Sequence, residues 1–316
     1  MSDPLFVMLV GVAGSGKSTY AKERQKEIDR CTVLSSDAIR GELYGDESIQ
    51  RNPAKVFQIM ERRALDAARM GMSVIYDATN LLSRRRKHMV KQMSALGCTT
   101  KCVICVASRD LCVERQTMRE RKVPADVIDR QIRQFEIPTR MEGWDKITVS
   151  YPNEDPYIKS LRQLLDDCKI PHDNPHHTMS IYGHSCAVHN TVSKKIREKY
   201  YAANSLERYL DYVVIKAALF HDTGKPFTKT FVNGRGETTD VAHYYGHENV
   251  GAWLILCAKD SFVMLKDCLR CAQLIGLHMK MHDKVWHERL KEYWVEEDLN
   301  FWNQLYLLWE ADKGAH

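Results

Sequence analysis

Eight residues near the start of the chain, Gly11-Val12-Ala13-Gly14-Ser15-Gly16-Lys17-Ser18, constrain the fold more than any other stretch. They match the spacing G-x-x-x-x-G-K-[ST], follow the apolar run Phe6 to Val10, and open a helical pattern from Lys17 to Ile28. A glycine-rich turn between a buried strand and a helix aims backbone N–H groups inward, and the helix N-terminus adds positive dipole. Such a loop suits the phosphates of a nucleoside triphosphate such as ATP. Gly11, Gly14, Ser15, Gly16 and Thr19 would line it, Lys17 would reach the β- and γ-phosphates, and Ser18 can ligate Mg²⁺. The plainer reading, a glycine turn with an incidental lysine, does not account for the strand before it and the helix after it.

The first half continues as alternating short apolar runs and charged helical patterns. Cys31 to Leu34, Ser73 to Tyr76, Cys102 to Val106 and Ile147 to Val149 read as strands, with helices between them, such as Ala54 to Arg69 and Ser83 to Leu96. This predicts a parallel sheet with helices on both faces. Near Tyr151 the pattern turns helical, with Tyr157 to Cys168 as a connecting helix, and twelve of the thirteen histidines lie from His172 onward. A length of 316 residues allows two domains. The expected division is 1–152 as an α/β domain, 153–170 as a linker helix, and 171–316 as an all-α domain. No apolar run is long enough to span a bilayer, and the N-terminus reads as a buried strand. Ten scattered cysteines point to free thiols in the cytoplasm. Cys102/Cys105 and Cys268/Cys271 have C-x-x-C spacing, but strand alternation and an amphipathic helix make core thiols the better reading than zinc. The net charge of +5 permits a polyanionic partner without requiring one.

A receiver for the phosphate is suggested by Ser35-Ser36-Asp37-Ala38-Ile39-Arg40 after the second strand. Asp37 can accept a proton from an attacking hydroxyl, and Arg40 can hold an acceptor phosphate. On spacing alone, Asp37 can also be a helix N-cap. Asp77-Ala78-Thr79-Asn80 can orient Mg²⁺ or the acceptor, or form a plain turn. Arg115 and Arg119, four apart on one helical face, can close over a triphosphate; alternatively they form a solvated face paired with Glu114 and Glu120. The run Arg84-Arg85-Arg86-Lys87 can line a nucleic-acid path or a solvated helix face.

In order and spacing, GVAGSGKST, SSDAIR, DATN and ERQTMRERKVP resemble the P-loop kinase domain of the 5′-hydroxyl polynucleotide kinases of phage and bacterial RNA repair. The resemblance covers residues 5–150. It implies Asp37 as general base, Arg40 as the acceptor-phosphate contact and Arg119 as a lid arginine.

The second half holds His184, His221-Asp222, His247, His278 and Asp312, residue types that suit a divalent ion. His221 and Asp222 can share one ion with His184 and Asp312, leaving His247 and His278 for a second, with Asp222 bridging. Six further histidines, His176, His177, His189, His243, His282 and His287, read mostly as surface or supporting residues, with His243 a weak candidate for substrate contact. The stretches NPHHTMSIYGHS, ALFHDTGKP, HYYGHENVGA, LIGLHMKMH and LWEADKGAH resemble the HD-domain phosphohydrolases. That resemblance implies one or two divalent transition metals (Mn, Fe, Ni, Co or Zn) on those ligands and a substrate-phosphate contact at Lys225. Together the two resemblances imply a bifunctional end-healing enzyme. It would phosphorylate 5′-OH ends of RNA or DNA and act on a 2′,3′-phosphate end, upstream of an RNA ligase. A small-metabolite kinase joined to a nucleotide phosphohydrolase, and a nucleotide-gated hydrolase, are the alternatives.

Overall fold

A computed structural model describes residues 3–119, 122–174, 179–202 and 208–315. The chain divides into two compact units, Met1–Tyr157 and Ile158–His316.

The first unit runs β1 (Leu5–Val10), α1 (Lys17–Gln25), β2 (Cys31–Ser35), α2 (Ser36–Tyr44), α3 (Pro53–Arg69), β3 (Ser73–Asp77), α4 (Ser83–Ala95), β4 (Thr99–Cys105), α5 (Arg109–Thr117), α6 (Ala125–Arg133) and β5 (Lys146–Ser150). The five strands form the expected parallel sheet, in the order β2-β3-β1-β4-β5. Burial follows that order. β1 and β3 are buried almost throughout, as strands covered on both faces must be, whereas the edge strands β2 and β5 are only half-buried. The order also sets the site. β3 lies between β1 and β2, so Asp77 pairs with Leu9 on one side and Ser35 on the other. The loop after β1, Asp77, and Asp37 in the first turn of α2 therefore line one edge of the sheet, at the carboxyl ends of the strands, where such sheets bind ligands.

Two expectations for this unit are corrected. α5 ends at Thr117, so Arg119 lies beyond the helix that carries Arg115 and does not share a helical face with it. Within the run Arg84 to Lys87, Arg86 is fully buried and structural. Its guanidinium grips Glu142 through two bonds, Nε to Oε2 at 2.8 Å and Nη2 to Oε1 at 2.6 Å. It also donates to the carbonyls of Asn80, Leu81 and Glu136, while Trp144 Nε1 donates to Glu142. A helical wheel cannot distinguish such an arginine from its exposed neighbour Arg84.

The second unit contains α7 (Leu161–Asp167), α8 (Ile181–Ala202), α9 (Arg208–Phe220), α10 (Lys225–Thr228), β6 (Thr230–Val232), β7 (Thr238–His243), α11 (His247–Cys257), α12 (Leu265–His278), α13 (Lys284–Glu297) and α14 (Leu299–Lys313). A 3₁₀ turn, Met279–His282, joins α12 to α13. The connecting helix is shorter than expected because a capping box at Ser160 and Gln163 starts it late. The unit is also not purely helical. β6 and β7 form an antiparallel hairpin whose turn is held by Asn233, its Oδ1 accepting from the N–H groups of Arg235 and Glu237. The three-residue strand β6 is too short to show a strand period. α11 and α12 form the buried centre. A Cβ at Gly224 would collide with the His247 carbonyl oxygen, so glycine lets the residues after α9 press directly on the start of α11. All ten cysteines are free, and Cys102, Cys105, Cys268 and Cys271 are core thiols. Among the described residues no helix is long and apolar enough to cross a membrane.

Removing one partner of a buried, fully bonded ion pair leaves an uncompensated charge. Glu142→Gln should therefore lower stability by about 3–5 kcal/mol, read as a fall in the urea midpoint followed by circular dichroism.

Candidate functional sites

In the first unit the phosphate loop is held from outside as well as by its own turn. Ala13 N–H donates to Gln131 Oε1 of α6 at 2.7 Å, and Arg115 Nη1 donates to the Gly14 carbonyl at 2.9 Å. Gly14 has φ +84 and packs so tightly on the Cys112 backbone that any Cβ would collide. α1 begins at Gly16 with no side-chain cap and no acid in its first turn, leaving its N-terminal amides for an anion. The Ser15 hydroxyl, buried in the loop, has no hydrogen-bond partner. These features fit a bound triphosphate. Lys17 Nζ donates to the Val12 carbonyl at 2.8 Å across the loop. Burial lowers the Lys17 pKa, against the pull of Asp77.

Asp77 is the buried carboxylate of this site. Burial raises its pKa, while Lys17, a hydrogen bond from Ser18, and Arg119 oppose that rise. It therefore belongs to the loop's electrostatics, which the turn reading of DATN does not anticipate. Asn80 is structural: its Nδ2 donates to the Leu9 carbonyl at 2.7 Å. Asp37 is not the N-cap of α2. Ser35 is, with its hydroxyl accepting from the N–H groups of Asp37 and Ala38. The Asp37 carboxylate instead accepts from Arg40 Nη1 at 2.7 Å. Arg40 is buried, and its Nε has no hydrogen-bond partner. A cavity of about 1070 Å³ includes Lys17, Ser18, Asp37, Arg40, Asp77 and Arg119 in its lining. Farther along its wall, Arg85 lies over the Phe57 ring at 4.5 Å. Thr19 and Arg115 line a smaller adjoining hollow of about 450 Å³. Glu120, a suggested partner for these arginines, lies outside the described residues.

In the second unit all six proposed ligands converge. His184, His221 and Asp222 form one group able to hold an ion, and Asp222, His247 and His278 form another. Asp312 Oδ1 lies 2.9 Å from His184 Nε2 and 3.4 Å from His221 Nε2. The ring orientations explain how the cluster works. His221, His247 and His278 each turn Nδ1 to the carbonyl three residues earlier, on Ala218, Tyr244 and Ile275, at 2.9, 2.9 and 2.6 Å. With Nδ1 as donor, the Nε2 lone pairs of His247 and His278 face the cluster, and the Nε2 of His221 is left to hold either a proton or an ion, the usual arrangement of metal-bound imidazole. Nε2 of His247 and Nε2 of His278 then stand 3.3 Å apart, a repulsive contact that a shared proton or cation relieves. Burial lowers the His278 pKa to about 3, with help from His247 and His221, and burial also lowers that of His247. His221 is different: burial disfavours its charge, yet Asp222 and then Asp312 raise its pKa to about 10. Asp222 is held well below the usual carboxylate range against burial, by His221 and then Lys225, whose Nζ is 2.7 Å from its Oδ2.

The sequence reading missed one supporting residue, His172. His172 is buried, its Nδ1 bonded to the Met179 carbonyl and its Nε2 3.3 Å from Lys225 Nζ; burial lowers its pKa to about 4. A histidine in the turn-rich stretch KIPHDNPHH carries no periodic signal. His282, read as surface or supporting, contacts Asp312 Oδ2 at 3.2 Å. His243 makes its contacts with Thr239 and Tyr245. His189 faces Asn190, whereas His176 and His177 lie outside the described residues.

The match to a family model falls within the first unit. Residues 6–138 match the family model of an AAA domain. An L-seryl-tRNA(Sec) kinase of Methanococcus maripaludis is 25% identical over 175 residues, which are 51% of this chain and 65% of that protein's length. Among solved structures, a Pnkp1/Rnl/Hen1 RNA repair complex has a chain with TM-score 0.41 and 19% identity, covering 51% of this chain and 52% of its own. The PezAT toxin–antitoxin system of Streptococcus pneumoniae has one with TM-score 0.39 and 15% identity, covering 48% and 68%.

Losing the Gln131 bond should weaken nucleotide binding roughly fivefold in Gln131→Ala, about 1 kcal/mol, measured by titration with a fluorescent ATP analogue. At the other site, a divalent ion must displace the proton that His221 carries at neutral pH. Binding of Mn²⁺ at pH 7 should therefore release a proton and weaken as pH falls. Calorimetry in buffers of different ionisation heat reads this directly; an enthalpy that does not vary with buffer contradicts it.

Proposed function

We propose that the chain repairs broken nucleic acid, RNA foremost, by treating both ends of the break. In this reading the first unit moves the γ-phosphoryl of a nucleoside triphosphate to a 5′-hydroxyl. The second is a metal-dependent HD phosphohydrolase that acts on the 2′,3′-phosphate end. The observation that carries the kinase half is the single cavity holding both the phosphate loop and the Asp37–Arg40 pair. At about 1070 Å³ it slightly exceeds the range of a typical single-ligand pocket. The Arg85–Phe57 pair farther along offers a cation and an aromatic face to a terminal nucleotide. The similarity to a kinase of seryl-tRNA adds a precedent for a hydroxyl acceptor carried on RNA.

Asp37 takes the proton of the 5′-hydroxyl as its oxygen attacks the γ-phosphorus. The bond to the β-phosphate oxygen breaks, leaving a nucleoside diphosphate, a 5′-phosphorylated strand and one proton. Arg40 holds the acceptor phosphate once Asp37 is engaged with the hydroxyl. Lys17 and Arg119 neutralise charge on the transferring group. Ser18 and Asp77 would hold Mg²⁺, which would supply further neutralisation. In the second unit, divalent ions on His184, His221, Asp222, Asp312, His247 and His278 supply Lewis acidity and an acidified water when bound. Lys225, placed by Asp222 and His172, contacts the substrate phosphate. The resulting 5′-phosphate and healed 3′ end are what a ligase consumes. The free cysteines fit a reducing compartment such as the cytoplasm.

With γ-labelled ATP, Mg²⁺ and a short 5′-OH RNA, label should pass to the RNA, and Asp37→Ala should reduce the rate about 10²–10⁴-fold. Transfer to small metabolites but not to RNA would sink the polynucleotide reading. Asp222→Asn should abolish release or opening of a 2′,3′-cyclic phosphate while leaving 5′ labelling intact.

A further inference from the structure

Beside the histidine–aspartate cluster, the 3₁₀ turn Met279–His282 and helices α13 and α14 carry a dense set of aromatic and cationic side chains. We propose that this face binds single-stranded polynucleotide by base stacking and leads a strand end to Asp312. The proposal rests on the end-repair reading of the second unit and names how that unit recognises its substrate.

The set is continuous with the ligand cluster. His282 contacts Asp312 Oδ2, and its ring lies 6.5 Å from that of Trp309. Trp309 is 4.9 Å from His287 and 5.4 Å from Tyr306, and Trp302 is 5.5 Å from His287. Trp286, the residue before His287, carries Lys280 Nζ over its ring at 4.6 Å and the Arg289 guanidinium at 5.8 Å. Lys313 Nζ lies 5.3 Å over Trp309. Unlike core aromatics, Tyr306 is 39% exposed, and Trp286 and Trp309 are partly exposed.

The pairing of charges on this face favours a polyanion over a protein surface. Among the described residues, none of Lys280, Arg289 and Lys313 pairs with a carboxylate, whereas Asp283 and Glu310 beside them are engaged. Asp283 caps α13 by accepting the Trp286 N–H, and Glu310 pairs with Lys195. Cations resting on aromatic faces, beside partly exposed rings, are the combination that binds single strands without sequence preference.

The test uses the full chain and a 12-nucleotide RNA bearing 4-thiouridine and a 2′,3′-cyclic phosphate. Ultraviolet crosslinks should map to residues 279–313, at Trp286 or Tyr306. Crosslinks confined to the first unit would overturn the proposal, whether or not the RNA is hydrolysed. In parallel, Trp286→Ala should raise KM for the RNA roughly 5- to 100-fold, the loss of one stacked base. It should leave kcat, and turnover of a 2′,3′-cyclic mononucleotide, unchanged, while Trp286→Phe should restore the low KM. Lys280→Gln with Lys313→Gln should flatten the salt dependence of KM by about 0.7 per charge. An RNA KM indifferent to these changes overturns the platform and leaves hydrolysis standing, as a protein partner on this face would. Wild type that hydrolyses neither substrate removes the end-repair reading, and the crosslinks then decide the platform alone.

Discussion

A carboxylate taken out of water must be answered by a cation or by donors, and both units are arranged around that demand. In the first, Asp77 at the end of β3 is answered by Lys17, Ser18 and Arg119, which draws the phosphate loop and the segment after α5 towards one strand end. Glu142 is answered by Arg86, which ties α4 to the turn before β5. In the second, Asp222 is answered by His221, Lys225 and His247, so the end of α9 and the starts of α10 and α11 meet at one carboxylate. These groups are costly to leave unpaired, so each binds separate parts of the chain together.

The two sites use this constraint differently. Around Asp77 the cations are protein side chains, and the unsatisfied groups are donors: Ser15 Oγ, Arg40 Nε and the first amides of α1. That is a site made for an anion. Around Asp222 the groups turned inward are largely acceptors, Asp222 Oδ2 and the Nε2 atoms of His247 and His278, whose Nδ1 atoms face backbone carbonyls. That is a site made for cations. The opposite sense of the two deficits is the physical basis for reading one unit as phosphate-binding and the other as metal-binding.

Parts of both sites were legible beforehand for a simple reason. A phosphate loop is local in sequence, and the histidines and aspartates are scarce residue types whose chemistry stands out in any setting. Arg86 and Arg84 look alike in a helical pattern, and only the packing of α4 separates the buried one from the exposed one. The end of α5 depends on local capping, so Arg119 could not be assigned to or excluded from the helix by counting. Gln131 and His172 carry no motif, and their roles exist only through residues 118 and 53 positions away, Ala13 and Lys225.

By itself the sequence determined the strand–loop–helix that cradles phosphate, the alternation that makes a parallel sheet, and the inventory of possible metal ligands. Each of these is written in nearest-neighbour order or in residue chemistry. The tertiary structure decided that β3 inserts between β1 and β2, which makes Asp77 the buried centre of the first site. It also decided that Asp222 is shared between two ligand groups. Strand order and the meeting of helices are long-range choices made by burial and charge compensation together, and no local pattern encodes them.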